Sequence, residues 1–129
     1  MVERAPLPSG IHEQHGAIAR MIGDLRAAHS TGTEWEQLAS RLDQILEIVR
    51  GHFEHEEAEM SHAGYPKLDE HQAMHATFMR RLIVLRRECD RRETELMGMF
   101  IELLDNWFKN HERTADAQVI AFLKLDPPS

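Results

Sequence analysis

The stretch Leu38-Ala39-Ser40-Arg41-Leu42-Asp43-Gln44-Ile45-Leu46-Glu47-Ile48-Val49-Arg50-Gly51-His52-Phe53-Glu54-His55-Glu56 decides the fold. Its apolar residues Leu38, Leu42, Ile45 and Val49 alternate by four and three positions, the repeat of one face of an α-helix. Carried forward, the same stripe reaches His52 and then Glu56. Two titratable groups thus stand where a buried apolar residue is due. Burial of such groups is costly unless something pairs them.

The neighbouring segments repeat the pattern. Downstream, Leu68, His71, His75, Phe78, Leu82 and Leu85 form a second stripe. Upstream lie Ile11, His15, Ile18, Ile22 and Leu25. Towards the end come Leu96, Phe100, Leu103, Trp107 and His111, with Asp116 beyond. The punctuation between stripes predicts four helices. The first runs from about Ile11 to Ala28. Ser30-Thr31-Gly32-Thr33 is a loop in which Thr33 is an N-cap candidate, with Glu36 three residues on. The second runs from about Glu34 to His62, and Gly64-Tyr65-Pro66 breaks it. The third starts near Lys67. The polar residues Glu88 to Arg92 turn the chain into the fourth without glycine or proline.

Strand signals are absent, and three-four stripes with short connections predict an all-α, antiparallel up-down-up-down four-helix bundle. Its expected extent is residues 11–124, between an extended leader over 1–10 and a tail over 125–129, both rich in proline. His15 lies early in its helix, His52 and Glu56 late, His71 and His75 early and His111 late. Antiparallel packing therefore brings His15, His52, Glu56, His71, His75, His111 and Asp116 to one end of the bundle.

Composition narrows the function. A chain of 129 residues is long enough for one domain with a real core. The formal charge of -7 argues against nucleic acid and anionic membrane as partners. The local basic run Arg80, Arg81, Arg86, Arg87, Arg91 and Arg92 reads as a solvated helix face and turn. No apolar run is long enough for a signal peptide core or a bilayer span. Cys89 is the only cysteine, so no internal disulfide forms. The expectation is a cytoplasmic protein. Five histidines and two carboxylates with no thiolate exclude a zinc finger or an iron–sulfur cluster and suit iron.

The segments Gln14-His15, His52-Phe53-Glu54-His55-Glu56-Glu57, Gly64-Tyr65-Pro66 and His71-Gln72-Ala73-Met74-His75, with Phe78, Trp107, His111 and Asp116, carry a resemblance to a known family. From Ile11 to about Phe122 the chain resembles the bacterial hemerythrins. That resemblance implies a non-haem di-iron centre with an oxo or hydroxo bridge. It implies that His71, His75 and His111 bind one iron, that His15 and His52 bind the other, and that Glu56 and Asp116 bridge them. The two-histidine iron then keeps an open position for dioxygen, or for another small diatomic or peroxide ligand. Oxygen binding for storage, delivery or sensing is the leading expectation.

Two residues depart from the family pattern. Glu112 follows His111 where an apolar residue is usual. Glu112 and Asp116 are four positions apart, so in an α-helix they share a face to within about 40°. Glu112 is therefore expected to approach the open iron position, as an added ligand or a proton acceptor. That would favour the alternative function, an oxidase or peroxidase activity or iron handling. His12 stands where an aspartate is common and is expected to be exposed. His55 is expected to be solvated, and His29 and His62 to lie on the surface or in loops. Met21, Met60, Met74, Met79, Met97 and Met99 are expected to fill the core. Glu59-Met60-Ser61-His62 is a single Glu-x-x-His match without the paired arrangement of ferritin-like oxidases.

Overall fold

The structure is a computed structural model that describes residues 11–125, without the side chains of residues 11–13, 94, 124 and 125. The leader over 1–10 and residues 126–129 of the tail lie outside it, as does the side chain of His12. Four long helices carry the fold: α1 (Ile11–Ser30), α2 (Trp35–Ala63), α3 (Leu68–Glu88) and α4 (Thr94–His111). A short helix, α5 (Ala117–Leu125), follows α4 after the turn Glu112–Asp116 and extends through Leu125, the first residue of the expected tail. In the bundle α1 packs on α2 and α4, and α2 packs on α3.

The connections explain the helix ends. Gly32 (φ 78°) and Gly64 (φ 73°) adopt the left-handed conformation that ends a helix without strain. Beyond Gly64, the Tyr65 amide donates to the Met60 carbonyl at 2.9 Å. Thr33 does not cap α2. Its own amide donates to the Ala28 carbonyl at 3.1 Å and so helps to close α1, and α2 begins after Glu34 without a side-chain cap. The turn that lacks glycine is a 3-10 turn, Cys89–Arg91, after which Arg92 takes a positive φ of 60°.

The main core holds Ile18, Ile22 and Leu25 of α1, Leu38, Leu42, Ile45, Val49 and Phe53 of α2, and Phe78 and Leu82 of α3. All but Phe53 lie on the predicted stripes, whereas Leu68 and Leu85 of the α3 stripe are only partly buried. In α4 the seam lies one residue along from the predicted one. Met97, Ile101, Leu104 and Phe108 are buried with Phe100, whereas Leu96, Leu103 and Trp107 are only partly buried. The observed set keeps the four-three alternation through to His111, and Leu103 and Trp107 flank it. Met60 and Met97 fill core space, but Met74 and Met99 are exposed. A second, smaller apolar cluster forms at the other side of the histidine-bearing end from Met60, Tyr65 and Val119, covered by Leu68, Ile120, Phe122 and Leu123. No helix among the described residues is long and apolar enough to cross a membrane.

Candidate metal centre

Among the described residues nine polar or charged side chains are buried: Gln14, His15, His52, Glu56, His71, His75, Asp105, His111 and Asp116. All but Gln14 and Asp105 are those singled out by the helical stripes. They form two groups that share their acids. Glu56, His71, His75, His111 and Asp116 make one group, and His15, His52, Glu56 and Asp116 make the other. Within each group the facing nitrogen and oxygen atoms all lie within 4.8 Å of one another.

The carboxylates divide their oxygens between the groups. Glu56 Oε1 lies 2.5 Å from His71 Nε2 and 3.2 Å from His75 Nε2. Its other oxygen, Oε2, lies 3.6 Å from His52 Nε2 and 3.9 Å from His15 Nε2. Asp116 does the same, with Oδ1 3.0 Å from both His71 and His111 Nε2 and Oδ2 2.7 Å from His15 Nε2. His111 Nε2 is 3.1 Å from both His75 Nε2 and His71 Nε2. Five imidazoles thus turn the same ring nitrogen inward.

This arrangement satisfies itself poorly. His15 Nε2, His52 Nε2, Glu56 Oε2 and both Asp116 oxygens are buried without a well-formed hydrogen bond. Buried polar atoms in native proteins nearly always have partners. Nitrogen and carboxylate donors converging on one point fit a cationic metal, and the donor set suits iron.

Local structure aims these side chains. His52 and Glu56, and likewise His71 and His75, are one helical turn apart on one face. His111 and Asp116 are five residues apart, which in an α-helix would set them about 140° apart. Here Glu112–Asp116 form a π-helical turn, and the wider turn brings Asp116 back onto the face of His111. The continuous fourth helix of the sequence analysis is therefore interrupted at the site itself. The five-residue spacing is the signal that identifies it.

Outer partners orient the rings. Gln14 Oε1 is 2.6 Å from His52 Nδ1, and Glu57 Oε2 is 2.7 Å from His75 Nδ1. Hydrogen bonds of this kind set the tautomer and leave Nε2 free for a metal. Sequence reasoning assigned neither role, although Gln14 lies at stripe spacing from Ile18 and Glu57 adjoins Glu56. The phenyl ring of Phe53 stacks on His75 at 3.8 Å, and the Trp107 indole stacks on both His111 (4.3 Å) and Phe78 (3.9 Å).

Electrostatics sort the histidines. Burial drives the His52 ring down to about 3, helped by the nearby His15. Burial also takes His75 down to about 4, against the pull of Glu57. Both are therefore neutral near pH 7, the form that binds metal. Burial lowers His71 too, but the carboxylates of Asp116 and Glu56 beside its Nε2 outweigh it and raise it to about 9. His15 is raised in the same way, chiefly by Asp116 against burial. Burial raises Glu56 to about 7. Asp116 is buried as well, yet the close imidazole nitrogens of His111, His15 and His71 hold it far below the usual carboxylate range.

Glu112 belongs to neither group. Its Oε1 lies 3.5 Å from His15 Nδ1, the outward nitrogen, and its side chain is 39% exposed. His55 is partly exposed beside Glu59, with its Nε2 3.0 Å from Oε1. His62 is exposed, and His29 is half-buried next to Gly98.

Comparison with known proteins agrees with this geometry. Residues 8–123 match the family described as the hemerythrin HHE cation binding domain. The chain is 34% identical over 110 residues to a bacteriohemerythrin of Pseudomonas aeruginosa (strain PAO1), covering 83% of this chain and 69% of that protein. It is 28% identical over 106 residues to the bacteriohemerythrin of Stenotrophomonas maltophilia (strain R551-3), covering 82% and 68%. It is also 28% identical over 99 residues to that of Methylococcus capsulatus (strain Bath), covering 77% and 75%. A helical bundle whose buried histidines and acids form a metal-type cluster, matched over most of its length, belongs to the hemerythrin family, whose domain supports a non-haem iron-binding protein.

Proposed function

We propose that this protein binds dioxygen reversibly at a pair of iron ions. The observation that carries the reading is the sharing of both carboxylates between two unequal histidine groups. Glu56 and Asp116 each offer one oxygen to either side, as bridging ligands must. His71, His75 and His111 complete one half with three imidazoles, and His15 and His52 complete the other with two. The second half is one protein donor short, which leaves it a position for an exogenous ligand.

When bound, the two irons would supply the reversible electron transfer that dioxygen binding requires. The chain supplies the rest. Gln14 and Glu57 hold His52 and His75 with Nε2 inward. Phe53 and Phe108 lie against the His52 ring, at centroid distances of 5.9 and 6.3 Å. These rings and the two apolar clusters exclude bulk water, which slows proton delivery and loss of the ligand by side reactions. Membership of a family in which oxygen binding is typical supports the same reading.

The test is oxygen uptake by the reduced, iron-loaded protein. One dioxygen taken up per two irons and recovered under vacuum is the expected result. Irreversible consumption with loss of ferrous iron would instead favour an oxidase.

A further inference from the structure

Three of the five imidazoles have an outer oxygen from another side chain close to Nδ1. For His52 it belongs to Gln14 and for His75 to Glu57, at 2.6 and 2.7 Å. For His15 it belongs to Glu112, at 3.5 Å. His15 Nδ1 is buried and makes no hydrogen bond. A histidine that turns Nε2 to a metal carries its ring proton on Nδ1, and that donor needs an acceptor. Glu112 Oε1 is the carboxylate oxygen that stands there. Its remaining exposed surface and its flexible stem let it close the gap to the roughly 2.8 Å of a charge-assisted hydrogen bond. The backbone favours this too. Glu112 opens the π-helical turn that aims Asp116 at His15 Nε2, so one turn presents a carboxylate to each nitrogen of the same ring.

We propose that Glu112 is a positioning residue whose Oε1 accepts a hydrogen bond from His15 Nδ1–H in the iron-loaded protein and strengthens His15 as a donor to the two-histidine half. This rests on the di-iron reading above. It differs from direct ligation, because Glu112 acts from behind the imidazole and leaves the ligand position free. The consequence is asymmetric. His15 gains an anionic partner whereas His52, in the same half, has the neutral amide of Gln14. A more strongly donating imidazole favours ferric over ferrous iron.

The experiment compares wild type, Glu112→Gln and Glu112→Leu, with iron content, reduction potential and a histidine NMR spectrum of the zinc-substituted proteins. Wild type holding two irons per chain establishes the centre, and failure at that point would overturn the di-iron reading rather than the role of Glu112. Given two irons in all three proteins, Glu112→Leu should shift the ferric-to-ferrous equilibrium about tenfold towards ferrous, the order typical of losing an outer partner. Glu112→Gln, which keeps an acceptor without charge, should shift it less. The His15 Nδ1 proton should resonate downfield in wild type and move upfield in Glu112→Leu. Unchanged potentials in both variants, or a His15 proton indifferent to the substitution, would overturn the proposal. Glu112→Gln is close in size to the native side chain, so it guards against loss of folding in the leucine variant.

Discussion

Glu56 contributes an oxygen to each histidine group, while His75 belongs to one group alone. The two therefore differ in what their removal takes away. Glu56→Ala should abolish tight binding of both irons. His75→Ala should weaken the three-histidine half and spare the other, leaving about one iron per chain. Iron content after gel filtration distinguishes these outcomes, and equal loss in both variants would argue against shared carboxylates. Phe53 is buried and its ring lies flat on His75. Phe53→Ala should cost about 3–5 kcal/mol of stability, as large-to-small changes of buried aromatic residues do. Urea unfolding of the metal-free protein measures it, and a cost below about 1 kcal/mol would show that the stack contributes little. At this scale much was legible in the sequence. His15, His52, Glu56, His71 and His75 sit at stripe spacing, so periodicity alone placed them inward. Gln14 and Glu57 were not, because a polar residue beside a ligand reads as solvated until a partner helix brings a ring nitrogen to it.

The element that periodicity could not supply is the π-helical turn Glu112–Asp116. An α-helical reading of residues 111–116 puts His111 and Asp116 on different faces, and it aligned Asp116 with Glu112 instead. The helix gives up its regular bonding here so that both His111 and Asp116 reach the centre. Such a turn is held by what its side chains bind more than by its own backbone. Amide hydrogen exchange over residues 112–117 should therefore be fast in the metal-free protein and at least tenfold slower once iron is loaded. Equal exchange in both forms would mean that the turn is rigid by itself. The α4 seam carries a related lesson. Leu103 and Trp107 are apolar and correctly spaced, but Leu104 and Phe108 are too, and packing against α1 decides which pair is buried.

The whole bundle concentrates its electrostatic burden at one end. His71 is raised to about 9 in the folded protein against an ordinary 6.5. A raised histidine contributes stability that is full below about pH 6.5 and is lost as pH rises through 9. Glu56, raised to about 7, changes in the same sense at the lower edge of that window. The depressed histidines, at about 3 and 4, add stability as pH rises to about 6.5 and hold it constant across the window above. The metal-free protein should thus melt at a lower temperature at pH 9 than at pH 7. Iron bound at the proposed centre, where His71 would have to give up its proton, should flatten that slope. A metal-free melting temperature that holds or rises over the window would contradict this. The bundle topology was legible because four amphipathic stripes and short connections leave few other ways to bury them. The claim on which the rest depends is that one end of this bundle holds two irons in unequal halves. Anomalous diffraction at the iron edge from crystals of the loaded protein tests it most directly. The account predicts two iron peaks, one among His71, His75 and His111 and one between His15 and His52, with Glu56 and Asp116 reaching both. A single peak, or none at this end of the bundle, would contradict it.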